Sequence, residues 1–263
     1  MLFDIVLPSV VSIVTIAIVL LYIRFESKLK TLFEEKEFQI RDVIFLVVAM
    51  GVMIAVIVFV PQQAIQVLFL GAYSFVLFLF TYVAVERWYV AILSPVIFVA
   101  LYLSDLWGLL LLNVFAIAFV IMISVYMGGV FSWKTVLVFA GALTVMDVIH
   151  VFGTGAMGEA ALRLVELRLP ILVHVYTFPA VSEFYLGLGD MFLAGLLALQ
   201  TMKKFDKKAG IISGVAVGFA FFVYEVLVFY YEYYTFFPAT LVVVAGWLLG
   251  LGIHRLLKLR GNS

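Results

Sequence analysis

Runs of apolar residues, each about 20 long, alternate with short polar stretches along this chain. They lie near 5–23, 43–60, 67–85, 88–103, 107–127, 135–152, 185–202, 209–230 and 237–253. A membrane-spanning helix needs about 20 mostly apolar residues, so each run predicts one span. The fourth run is short, and only VPQQAIQ parts the second from the third. Trp88, Tyr89, Trp107 and Trp133 fall at run ends, as do the tyrosines between Tyr230 and Tyr234. Aromatic residues collect at such membrane–water borders. The predicted fold is an all-α membrane protein with nine transmembrane helices. The first run reads as a retained span. MLFDIVLPSV lacks a basic segment, and its apolar stretch is longer than a typical signal core.

Composition agrees with the pattern. Of 263 residues, 67% are hydrophobic and 12% charged, whereas soluble domains are roughly 45–50% apolar. The formal net charge of zero hides a segregation. With the N-terminus outside, the cytoplasmic segments hold Arg24, Lys28, Lys30, Lys36, Arg41, Arg87, Lys134, Lys203, Lys204, Lys207, Lys208, Arg255, Lys258 and Arg260. Only Arg163 and Arg168 fall outside, leaving 14 of 16 cations on one side. The positive-inside rule then predicts a multi-pass cell-membrane protein with an outer N-terminus and a cytoplasmic C-terminus. A miscounted span would scramble that separation.

The chain divides into helices one to six (1–152), an outer loop (153–184) and helices seven to nine (185–263). The loop holds a candidate amphipathic helix from Glu159 to Leu169. After Pro170, ILVHVYT is rich in β-branched and aromatic residues and predicts a short strand. Glycine at every fourth position (Gly210, Gly214, Gly218; Gly246, Gly250) predicts close helix packing.

Chemistry must come from few groups. There is no cysteine, so thiol chemistry and disulfides are excluded. No His-Glu-x-x-His occurs, and His150, His174 and His254 are far apart, which argues against zinc hydrolysis. No Gly-x-Ser-Gly supports a serine protease. Neither a metal, a cofactor nor a nucleic-acid partner is implied, and no oligomeric state is assigned.

Charged groups inside a bilayer cost at least ~3 kcal/mol on insertion scales and mark function. Asp147 and Asp190 are such groups, in the sixth and seventh runs. Lys134 precedes Asp147 by 13 residues, and Asp190 precedes Lys203 by 13. Each acid therefore lies about 20 Å from the cytoplasmic end of its helix. Consecutive antiparallel spans can bring acids of equal depth face to face. A close acid pair shares one proton, so that one member activates water while the other polarises a carbonyl. Proton coupling in a transporter uses the same groups and remains the alternative. His150 and Glu225 are read as packing or interfacial residues without chemistry.

Gly187 and Gly189 precede Asp190 in Leu-Gly-Leu-Gly-Asp, and Pro238-Ala239 opens the ninth run. Together with the acid in the preceding span, this order resembles the presenilin and signal peptide peptidase family of intramembrane aspartyl proteases. The orientation resembles the signal peptide peptidase branch, and the compact chain its prokaryotic, mainly archaeal members. The resemblance implies that Asp147 and Asp190 are the catalytic pair. It implies that Gly187, Leu188, Gly189, Pro238, Ala239 and Thr240 contact substrate. The substrates implied are transmembrane or signal-peptide helices, unwound locally and paired through 171–177 by strand addition. Two departures stand out: Met146 precedes Asp147 where the family has tyrosine, and Thr240 replaces the leucine of Pro-Ala-Leu.

Overall fold

The computed structural model describes residues 3–33, 37–57, 59–179, 182–231 and 237–261. Lys36 and positions 232–236 of the predicted aromatic border lie outside the described residues. The helices are α1 (Val6–Phe33), α2 (Ile40–Ile57), α3 (Gln62–Val85), α4 (Trp88–Ala91), α5 (Leu93–Tyr102), α6 (Leu109–Gly128), α7 (Trp133–Val148), α8 (Ala156–Glu166), α9 (Leu188–Lys204), α10 (Lys207–Tyr231) and α11 (Ala239–Gly261). Between α8 and α9 lie the strands β1 (Leu172–Tyr176) and β2 (Glu183–Gly187).

Among the described residues six helices are long and apolar enough to cross a membrane: α1, α3, α6, α7 with its continuation, α10 and α11. The chain is thus an all-α membrane protein with a small hairpin. The other three predicted runs are not among these six, two of them for local reasons. Pro95 cannot donate to Ala91, so the run near 88–103 breaks at Ile92 into α4 and α5. Ser94 Oγ bonds the Ala91 carbonyl instead, at 3.0 Å. The seventh run loses its first residues to β2, leaving α9 with 17. The second run becomes α2, of 18 residues.

α9 is the axis of the bundle, with α1, α6, α7, α10 and α11 around it. Every residue from Leu193 to Thr201 is buried, the pattern of a helix enclosed on all sides. The polar groups on this core helix are satisfied. Gln200 Nε2 donates to the Gly128 and Phe131 carbonyls at 3.1 and 2.7 Å, closing the end of α6. Thr201 Oγ1 accepts from Trp247 Nε1 at 2.8 Å. The predicted small-residue contacts lie between α10 and its neighbours. A Cβ on Gly246 would stand 2.6 Å from Val217 Cα, and one on Gly250 2.7 Å from Ser213 Cα. Such backbone approach suits lipid, where packing rather than water expulsion joins helices. A second, aromatic core joins α3, α5 and α6 through Tyr73, Phe98 and Met122, with Trp107 just before α6.

Two local devices aim α7 and the hairpin. Ser132 and Thr135 form a reciprocal cap at the start of α7: Thr135 Oγ1 accepts from the Ser132 N–H, and Ser132 Oγ from the Thr135 N–H. At its other end α7 widens into a π-helical turn, Ile149–Thr154, stopped by Gly155 at φ 68°. β1 and β2 pair antiparallel with Val173 opposite Leu186 and Val175 opposite Phe184. Val173, Val175 and Leu186 enter the core. His174 and Tyr185 stack on the other face with ring centroids 4.2 Å apart.

Candidate functional site

Three helix ends build the site. Asp147 is the last residue but one of α7, and it is 6% exposed. Asp190 lies in the first turn of α9 and is half-buried. The two acids face one another closely enough to interact electrostatically. Thr240, in the first turn of α11, completes the group. Its hydroxyl donates to Asp147 Oδ2 at 2.7 Å, and its backbone N–H approaches the same oxygen at 3.4 Å.

The placement has an electrostatic logic. The first N–H groups of a helix lack partners within it, and that end carries partial positive charge. The N-termini of α9 and α11 both open onto the acid pair. Two anionic side chains set side by side would repel, and these helix ends offset part of that cost.

The glycines differ in what they do. A Cβ on Gly187 would lie 3.1 Å from Asp190 Oδ2, so a larger residue there crowds the carboxylate. Gly189 is exposed, and a Cβ on it would meet nothing within 4 Å. It keeps the surface beside Asp190 open. Leu188 between them is buried. Pro238 is buried, and its carbonyl accepts from the Leu241 N–H at 3.0 Å, which starts α11 where Thr240 reaches Asp147. Ala239 is half-buried beside it. His150 Nδ1 bonds the Met146 carbonyl at 2.9 Å, and the ring packs beside Gly51 of α2. Met146, where the resembled family has tyrosine, also packs against Gly51 and lines an apolar cleft between α2 and α7.

Segment 171–177 is a strand over Leu172–Tyr176, and a side chain takes up the middle of its outer edge. Asn113 of α6 donates from Nδ2 to the His174 carbonyl at 2.6 Å and accepts from the His174 N–H at 2.9 Å. An amide side chain thus takes the place of a neighbouring strand. The edge without backbone partners among the described residues belongs to β2, at Glu183 and Tyr185, and it runs straight into Gly187 and Asp190.

Sequence reasoning missed several of these links. The resemblance marks Thr240 as a substrate contact and a departure from a motif, and neither reading shows that its hydroxyl holds an acid 93 positions away. Asn113, a lone amide in an apolar run, was the available signal for the tie to β1. Asp4 and Glu225 form a second buried acid pair, between the start of α1 and α10. Asp4 Oδ1 accepts from the N–H groups of Val6 and Phe178 at 3.0 and 2.7 Å, and Oδ2 from Leu7 at 3.0 Å. No cluster of metal-ligating side chains occurs among the described residues. No protein-family model matches the chain, and no curated protein matches it either.

Proposed function

We propose that this protein is an intramembrane aspartyl endopeptidase of the presenilin and signal peptide peptidase type. It crosses the membrane nine times, α2, the α4–α5 pair and α9 being the short spans, with its C-terminus in the cytoplasm. Its substrates are transmembrane or signal-peptide helices. The observation that carries the reading is the meeting of Asp147 and Asp190 at the N-termini of α9 and α11. One carboxyl, ionised, takes a proton from a water held between them, and the other, protonated, donates to the scissile carbonyl. Neither metal nor covalent nucleophile enters the step. The open edge of β2 supports the same reading. An unwound substrate segment laid along Glu183 and Tyr185 gains main-chain hydrogen bonds and is delivered past Gly187 and Gly189 to Asp190.

The test is cleavage of a single-span reporter by purified protein in detergent or vesicles. Wild type should cut it, and Asp147→Asn and Asp190→Asn should each lower the rate at least about 1,000-fold while the fold is kept. Substantial cutting by either variant removes that acid from the mechanism. No cutting by wild type, together with acid-dependent proton uptake into vesicles, would instead favour a proton-coupled transporter.

A further inference from the structure

We propose that Thr240 is a positioning residue, which fixes Asp147 through Oδ2 and so leaves Oδ1 as the oxygen that holds the water. The reactive role of Oδ1 rests on the proteolytic reading; the positioning does not. Asp147 Oδ2 receives both contacts from Thr240, the hydroxyl at 2.7 Å and the longer N–H at 3.4 Å. Oδ1 accepts no hydrogen bond among the described residues. Thr240 is 3% exposed, so water does not compete for its hydroxyl. That hydroxyl sits on a backbone that Pro238 starts as a helix, which leaves the Thr240 N–H aimed along the same line.

An aspartate carboxylate otherwise has a broad, soft torsion about its last bond. Two donors on one oxygen remove that freedom and orient the other oxygen without touching substrate. The neighbouring Asp190 keeps an open flank at Gly189.

The experiment compares wild type with Thr240→Val, which keeps shape and the N–H but loses the hydroxyl, and with Thr240→Ser, which keeps it. Kinetics use the single-span reporter and the purified full chain. Thr240→Val should lower kcat roughly 10- to 100-fold, the range for losing a hydrogen bond to a charged group. KM should stay within about twofold, because no substrate contact is removed. Thr240→Ser should recover most of kcat. In parallel, infrared spectra of protein carrying carbon-13 at the aspartate carboxyls identify the Asp147 band by its loss in Asp147→Asn. Thr240→Val should shift that band and Thr240→Ser should not. An unmoved band overturns the proposal, as does equal impairment by serine and valine or a loss that tracks the folded fraction. If wild type cuts nothing, the proteolytic reading fails on its own, and the infrared comparison alone decides whether Thr240 positions Asp147.

Discussion

Gly187 and Gly189 look equivalent in the sequence and are not equivalent in space. Adding one methyl group separates them. Gly187→Ala places a Cβ 3.1 Å from Asp190 Oδ2, so the carboxylate must move by a few tenths of an ångström. An acid that must align on a shared water tolerates little displacement. Gly187→Ala should therefore lower kcat about tenfold or more with KM little changed. Gly189→Ala meets no protein atom within 4 Å. Its methyl stands on the exposed side of the acid, where only substrate would feel it. The expected outcome is a raised KM with kcat largely kept. Reporter kinetics on the two variants check this, and the reverse assignment would show that the open flank beside Asp190 is not the side from which substrate arrives.

At the scale of elements, the join of α1 to α3 shows how a helix end is held at the border. Glu86 ends α3 in a left-handed conformation, φ 59°, which costs free energy in a residue with a side chain. Lys28 of α1 offsets that cost. Its ammonium lies 2.7 Å from Glu86 Oε1 and donates to the Ala84 carbonyl at 3.3 Å. The hydrogen bond from Lys28, then its charge, holds the Glu86 carboxyl below the usual carboxylate range. A lowered native value means stability that is present above the unfolded pKa, about 4.3, and lost as pH falls through the native one. Wild type should thus melt above Glu86→Gln at pH 7, and the gap should close below about pH 4 and narrow in high salt. A gap that ignores pH would show that the ion pair contributes nothing. The same scale shows what the sequence made legible. Local patterns sufficed for the strand after Pro170 and the small-residue contacts. They could not show that Asn113 occupies the edge of β1, nor that Thr240 reaches Asp147, because each contact joins distant segments through one side chain. The shortness of α9 was hidden for another reason: β2 and the start of α9 form one unbroken apolar run, and only pairing with β1 divides it.

At the scale of the whole molecule, Asp4 and Glu225 tie together parts that the chain order keeps apart. Asp4 caps α1 through the Val6 and Leu7 N–H groups and holds the Phe178 N–H at the hairpin turn. The Ile5 N–H bonds the Phe178 carbonyl at 2.9 Å beside it. Glu225 of α10 faces Asp4 and is fully buried, and neither of its oxygens meets a donor among the described residues. Tyr224, next to Glu225 on α10, also feels its charge. Glu183 is turned to His174 and Tyr185, Asp190 to Asp147, and α11 has none before His254. Two buried acids without a cation form a costly arrangement, and Asp4 is the better satisfied of the two. Glu225→Gln supplies an N–H for Asp4 and removes one acid, so it should raise the melting temperature. Asp4→Ala leaves three N–H groups without their acceptor and should lower it by several degrees, at about 1–3 kcal/mol for each buried group left unsatisfied. The pair is tested by the double variant. If Glu225 gains from glutamine because Asp4 faces it, the gain should vanish once Asp4 is alanine. Thermal unfolding of the four proteins measures that coupling. Additive shifts would mean that the two acids do not act on one another, and that the hairpin is anchored to α1 alone.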